Sequence, residues 1–470
     1  MESIRRRAAL RIPAKASLWY VASSAIARAI GALGTPIFTR LLTPEEYGLY
    51  PLYVTWLGVF TVLVTLELTG AVMYRGLQKF SEDSEHFVSE ALGLILTFSV
   101  IFGLIYAVFS RFFNNLTGLS APTMVLMLVQ IAASAVISLY TAKARFEYRY
   151  KAVALLNILS AVMIPAVSAV LITSVGIRAE ARVVGASLSL AVIALPILII
   201  ILRDSRGLYS FETWRYLLGR SLPLLPHYFA MTMILKVGEI GISRLYGTTA
   251  LGKFSVALSV GMALTVVTGG IQSALAPWII RRMRCHELAR IREVVLILTK
   301  LVAISCLGLL AIAPEAIALF AAPSYRTALP AVYPLALSVI PTFLSSALMS
   351  GGIYFERSGL SAVPSLIAAS LSTILTLTVL PFVDYRYVGV FVLAAYTLLA
   401  TLNTLVFTKL AHEPPIFIAK TALVFLATIG YATLLFATRN MLFARLLLAL
   451  PLLSPIVKVS REAWESVKEK

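Results

Sequence analysis

Apolar residues fill this chain in long runs broken by short polar stretches, and no sustained alternation of period two interrupts them. A helix rises about 1.5 Å per residue and the hydrocarbon layer of a bilayer is about 30 Å thick, so roughly 20 mainly apolar residues make one crossing. Runs of that kind lie at 16–38, 48–70, 91–110, 122–141, 152–174, 183–202, 221–242, 250–279, 295–320, 327–354, 361–383, 387–408, 416–437 and 441–457, which predicts about fourteen transmembrane helices. The last is the shortest and carries Arg445. The period-two pattern of a membrane barrel is absent. The expected fold class is therefore an all-α integral membrane protein.

Composition agrees with this. Hydrophobic residues make up 59% of the 470 and charged residues 13%, against about 25% charged in a typical soluble protein. In a soluble protein a net charge of +18 would point to nucleic acid. Here the cations sit mostly in short loops, so nucleic acid is not an expected partner. With the N-terminus placed in the cytoplasm, most of the 40 basic residues fall in the two tails and the loops on that side, including Lys143-Ala-Arg145 and Arg281-Arg282-Met283-Arg284. The positive-inside rule then puts both termini in the cytoplasm and the chain in the cytoplasmic (inner) membrane as a multi-pass protein. The basic stretch Met1–Lys15 opens like a signal peptide, but the run after it contains Arg28 and lacks a small-residue cleavage site, so it is read as part of the mature chain. Cys285 and Cys306 provide neither a disulfide framework nor metal-ligand spacing.

Sliding the chain along itself reveals a repeat. Arg40-Leu41 aligns with Arg244-Leu245 at an offset of 244 − 40 = 204, as do Gly48-Leu49-Tyr50 with Gly252-Lys253-Phe254 and Val184-Gly185 with Val388-Gly389. Phe146-Glu147 resembles Phe355-Glu356 a few residues further on. The expected organisation is a basic cytoplasmic tail (1–15), a six-helix bundle (16–205), a second six-helix bundle (220–408), two additional helices (416–457) and a cytoplasmic tail (458–470). An even number of helices per half makes the repeats parallel, with the substrate site between them.

The stretch Phe38-Thr-Arg-Leu-Leu-Thr-Pro-Glu-Glu-Tyr-Gly-Leu-Tyr50 resembles the polysaccharide transporter family, relatives of the multidrug/toxin extruders and lipid II flippases. A degenerate copy, Ser243-Arg-Leu-Tyr-Gly-Thr-Thr-Ala-Leu-Gly-Lys-Phe254, opens the second half. The resemblance spans about 15–408 and implies a V-shaped, alternating-access flippase. Its implied substrates are lipid-linked (polyprenyl-pyrophosphate) oligosaccharides for cell-surface polysaccharide biosynthesis. Without the family, Thr43-Pro44-Glu45-Glu46 still reads as a helix start, with Thr43 as N-cap, Pro44 at the first helical position and Glu46 closing a capping box. Arg40, Gly48, Arg244 and Gly252 are accordingly structural motif residues.

Ionisable groups at bilayer depth cost about 2.5–3.5 kcal/mol on insertion scales and usually face a cavity or a partner. Arg28, Lys236 and Lys300 are the expected lining of a cationic cavity for a pyrophosphate or acidic sugar. Relatives that move lipid pyrophosphates use cavity arginines, which supports Arg28. Glu67 and Glu239 are expected as coupling groups or charge partners, with H⁺ or Na⁺ as the coupling ion, and Lys236 and Glu239 are spaced to pair at i, i+3. Pro223, Pro226, Gly238 and Gly241 mark the seventh run as the helix expected to bend.

Gly247-Thr-Thr-Ala-Leu-Gly252-Lys253 is close to a phosphate-binding loop, but Phe254 stands where Ser or Thr is required and no strand precedes it. No cofactor or metal is expected, and the chain is not read as an enzyme. A membrane glycosyltransferase needs a substantial outer loop holding acid–base residues, and the outer loops are short. A cation extruder of the same superfamily is the main alternative. The expected partners are the lipid-linked substrate, membrane lipids and other glycan-assembly proteins.

Overall fold

The computed structural model describes residues 2–203, 205, 207–354 and 362–468. The repeat match at Phe355-Glu356 and the loop around it lie outside the described residues. Every regular element among the described residues is helical, and the chain divides into two compact units, Met1–Phe229 and Ala230–Lys470.

In the first unit run α1 (Glu2–Leu41), α2 (Pro44–Thr65), α3 (Ala71–Lys79), α4 (Ser84–Val108), α5 (Ser110–Thr117), α6 (Ala121–Phe146), α7 (Tyr150–Val170), α8 (Ala181–Arg203) and α9 (Phe211–Ser221). Then α10 (Leu225–Gly261) starts at the end of this unit and leads into the second. There it is followed by α11 (Thr265–Arg284), α12 (Leu288–Ala311), α13 (Ala313–Phe320), α14 (Leu329–Leu337), α15 (Val339–Tyr354), α16 (Ala362–Thr378), α17 (Val388–Ala411), α18 (Ile418–Ala437) and α19 (Leu442–Lys468).

Among the described residues ten helices are long and apolar enough to cross a membrane, or eleven if the bent pair α10–α11 is one span. These ten coincide with the second to sixth and ninth to thirteenth predicted runs. The seventh and eighth runs fall in α10–α11, which bends by 45° between its members. The first and fourteenth runs fall in α1 and α19. Serine, glycine and Arg28 dilute α1, and the apolar part of α19 covers only Leu442–Leu452. The count of fourteen is not reproduced for these reasons, while the all-helical membrane architecture is.

Two segments read as polar loops are amphipathic helices. In α3 Val72, Met73 and Leu77 are buried while Tyr74, Arg75, Gln78 and Lys79 face outward. Those buried positions join Phe87 and Leu92 of α4, Leu139 of α6 and Leu217 of α9 in one apolar core. Phe80 stacks on Phe87 at 5.2 Å and meets Tyr216 edge-on at 5.6 Å. The segment before α9 docks on α4, where Ser89 donates to the Gly207 carbonyl (3.0 Å) and the Trp214 indole donates to the Glu90 carbonyl (2.9 Å). Gly93 permits this, since a Cβ there would overlap the Leu208 carbonyl. The seventh run also begins late. Pro223 lies in the turn between α9 and α10, and Pro226 lies in the first turn of α10, where a missing N–H costs nothing. The interruption in α10 comes at Gly247 (φ 79°, ψ 175°).

Candidate transport site

The motif at 38–50 folds as a helix stop and restart. Thr43 Oγ1 accepts from the Glu46 N–H (3.3 Å) and Glu46 Oε2 accepts from the Thr43 N–H (2.8 Å), completing the capping box of α2. Two arginines, Arg178 in the α7–α8 connection and Arg182 in the first turn of α8, then hold this corner. Arg178 reaches both Glu46 carboxylate oxygens (2.7 and 3.1 Å) and the Leu41 carbonyl (2.9 Å). These bonds raise the Arg178 pKa above its ordinary value. Arg182 lies over the rings of Phe38, Tyr47 and Tyr50, 4.6, 4.9 and 3.9 Å from their centroids. The aromatic positions of the motif thus form a seat for a cation, a favourable use of ring faces. Arg40 is exposed and bonds back to the Pro36 carbonyl (3.2 Å), and Gly48 is buried. Arg178 and Arg182 escaped the sequence reading. Their signal was an i, i+4 arginine pair between two apolar runs.

In the second copy Arg244 is exposed three residues before the Gly247 interruption, and Gly252 is buried, its carbonyl accepting from Ser255 (2.8 Å). The corner is made here by a glycine backbone geometry instead of a Thr-Pro cap, in keeping with the loss of Thr43, Pro44 and Glu46 equivalents.

Arg28 stands exposed on α1, and Gly31 one turn on has open space around it. Among the described residues Arg28 has no hydrogen-bond or ion-pair partner. Lys236 and Glu239 form the expected i, i+3 pair on α10, with Nζ at 3.0 and 3.1 Å from the two carboxylate oxygens. Glu239 is buried, Lys236 partly so. Neighbouring α16 comes close: Ser372 donates to the Ile234 carbonyl (2.8 Å), and a Cβ at Gly241 would overlap Thr376. Lys300 is half-buried on α12 and has no polar partner among the described residues. Glu67 lies in the turn after α2, beyond the span, with Tyr228 and Arg75 nearby in the same unit. Burial pushes its carboxyl above the usual glutamate range.

A polar cluster unforeseen from sequence sits inside the first unit. Tyr53 donates to Gln130 Oε1 (2.8 Å), Ser187 donates to the same oxygen (3.1 Å), and the two hydroxyls lie 3.2 Å apart. It ties α2, α6 and α8 together in a fully buried position, where satisfied polar groups specify one packing. Isolated Tyr, Gln and Ser residues within apolar runs carry no distinguishing spacing. Among the described residues no group of acidic, histidine and cysteine side chains is arranged to hold a metal.

Comparison with known proteins follows the same lines. A family described as polysaccharide biosynthesis protein matches residues 14–283. No curated protein matches the chain. Among solved structures, an inward-facing multidrug resistance MATE transporter of the MOP superfamily is similar with a TM-score of 0.63 at 14% identity, covering 83% of this chain and 94% of its own. The outward-facing conformation of such a transporter gives 0.61 at 14%, covering 85% and 96%. A MOP superfamily transporter from Pyrococcus furiosus, described as having a binding pocket of reverse polarity, gives 0.61 at 14% with the same coverages. At such identities the likeness establishes the fold. The match over more than half of the sequence establishes the family, and the chain belongs to the polysaccharide biosynthesis protein family of multi-pass membrane transporters.

Proposed function

We propose that this protein is a flippase that moves lipid-linked oligosaccharides from the cytoplasmic to the outer leaflet of the inner membrane by alternating access, with both termini in the cytoplasm. The observation that carries this reading is the charge balance at bilayer depth. Among the described residues Arg28 and Lys300 have no acidic partner, and Glu239, a buried carboxylate on a helix of the bent pair, is already held by Lys236. Cations without counter-charges in a low-dielectric site attract an anionic headgroup. A cation extruder needs the opposite surplus. In this reading Arg28 in the first unit and Lys300 in the second are cations for the pyrophosphate or an acidic sugar, and Lys236 becomes available for the same role when its bond to Glu239 opens. Glu67, whose carboxyl is pushed above the usual glutamate range by burial, serves as a proton-coupling group, and proteins of glycan assembly supply the substrate.

The test is leaflet translocation of a labelled polyprenyl-pyrophosphate glycan in liposomes containing the purified protein. Protein-dependent movement that Arg28→Ala reduces at least tenfold, with expression and folding intact, is the expected result. Transport of a small organic cation, with no movement of the glycan lipid, would make the protein an extruder instead.

A further inference from the structure

Three turns at one end of the second unit bring arginines together. Pro323–Ala328 ahead of α14 supplies Arg326, the turn Tyr385–Tyr387 ahead of α17 supplies Arg386, and the turn between α18 and α19 supplies Arg439. They line a cavity of about 510 Å³ together with Glu315. Through Pro330, Arg386 and Arg439 this arginine-lined cavity continues into a mainly apolar cleft of about 440 Å³, bordered by Tyr333, Leu337, Val390 and Phe436. From Pro330 to Leu337 the cleft follows α14 for roughly 10 Å at the helical rise per residue. Val390 is 44% exposed and Thr433 is exposed beside it, so the cleft is open at its flank.

The nearby acids are already neutralised. Both oxygens of Glu315 are held by Arg445, which lies beneath them at 3% exposure, and both oxygens of Asp384 are held by Arg386. That leaves Arg326 and Arg439. Arg326 is exposed and its guanidinium has no hydrogen-bond or ion-pair partner among the described residues. Arg439 stacks on Phe436 at 4.3 Å and gives one N–H to the Phe436 carbonyl, and a guanidinium has five to give. The site is a pair of phosphate-matching forks above an apolar slot, at the ends of helices long and apolar enough to cross a membrane. A free anion would leave the slot empty, and an uncharged lipid would leave the guanidinium groups unmatched.

We propose that this end of the second unit holds one anionic phospholipid of the surrounding bilayer. Its phosphate rests against Arg326 and Arg439, and the upper part of one acyl chain lies along Tyr333, Leu337 and Phe436. The site is built wholly from the second unit and does not depend on the flippase reading.

The test uses the full chain in detergent, titrated separately with phosphatidylglycerol, phosphatidylcholine, inorganic phosphate and a polyprenyl phosphate, with bound lipid read by native mass spectrometry. Each arginine at a membrane surface contributes about fivefold to anionic lipid affinity. Arg326→Gln and Arg439→Gln are therefore each expected to weaken phosphatidylglycerol binding about fivefold, and the double variant about 25-fold. Arg111→Gln, an exposed arginine of the other unit, should leave it unchanged. The lipid-free melting temperature of each variant checks folding; should Arg439→Gln fail to fold, the exposed Arg326→Gln decides alone. Wild-type affinity in the variants, equal binding of phosphatidylcholine, displacement by inorganic phosphate alone, or preference for the polyprenyl phosphate would each overturn the assignment.

Discussion

Glu67 sits where two successive non-glycine residues, Leu66 and Glu67, leave helical geometry with φ of 50° and 51°. Left-handed backbone at such residues is costly, by about 1–2 kcal/mol each, and persists only where the surroundings enforce it. Here Leu66 is buried in the core and the turn is closed by the Gly70 N–H on the Glu67 carbonyl (3.2 Å). The same constraint keeps the carboxyl half-buried, and desolvation raises its pKa above the ordinary value of 4.5. The sign follows from linkage. The folded protein holds this proton more tightly than the unfolded chain, so the group's stabilisation is full below the ordinary glutamate pKa and is lost as pH rises through the folded value. Tyr228 and Arg75 are the titratable groups around it that respond to the same charge. Glu67→Gln is therefore expected to flatten the fall in melting temperature as pH is raised above 4.5 and to melt higher than wild type at neutral pH. Parallel curves for the two proteins would show that the carboxyl ionises freely. The capping box at Thr43–Glu46 was legible because its residue types and spacing are local. The Arg178 bond to Glu46 joins residues distant in sequence, and local pattern carries no trace of it.

Helical elements follow the apolar runs closely where a run is uniform, as in α4, α6 and α8, because burial against lipid requires no particular partner. Failures concentrate where amphipathic character replaces uniform hydropathy. The short helices α3 and α9 present apolar faces to α4 and α6, a tertiary pairing that single-segment hydropathy averages away. The interruption of α10 is a further case. Prolines and glycines were equally visible at 223, 226, 238, 241 and 247, but inside α10 only Gly247 departs from helical geometry. Gly238 and Gly241 remain helical and allow close approach instead, since a Cβ on either would overlap Val388 or Thr376. The Gly247 backbone (φ 79°, ψ 175°) lies in a region essentially reserved for glycine, and a Cβ there would meet nothing within 4 Å. The cost of Gly247→Ala is thus backbone strain alone, of order 1–3 kcal/mol. Reversible unfolding in mixed micelles should register that loss. An alanine variant as stable as wild type would mean that the two parts of α10 are free to straighten.

Charge at the scale of the molecule served two ends that sequence alone did not separate. The sequence alone reads the +18 balance as topogenic, yet individual arginines also lock packing, and Arg445 is the clearest example. It made the fourteenth run look weakest as a span. In the structure it is 3% exposed, donates to the Ala311 carbonyl and grips both oxygens of Glu315, so it anchors the start of α19 to the junction of α12 and α13. The helices α18 and α19 pack along α12 and form part of the second unit's body. Arg445→Met keeps the volume and removes the anchor. Glu315 is half exposed and is not stranded without its partner, so the loss is that of charge-assisted hydrogen bonds, about 1.5–3 kcal/mol, reduced by solvent screening. Those bonds, the largest influence on Glu315, also hold its pKa below 4.5, in a short helix outside the spans. A depressed carboxylate stabilises above its unfolded pKa and ceases to do so as pH falls through the folded value. The stability gap between wild type and Arg445→Met should accordingly be constant near neutrality and narrow below about pH 4.5. A gap unchanged into acid would locate the contribution of Arg445 in its bond to Ala311 and not in the ion pair.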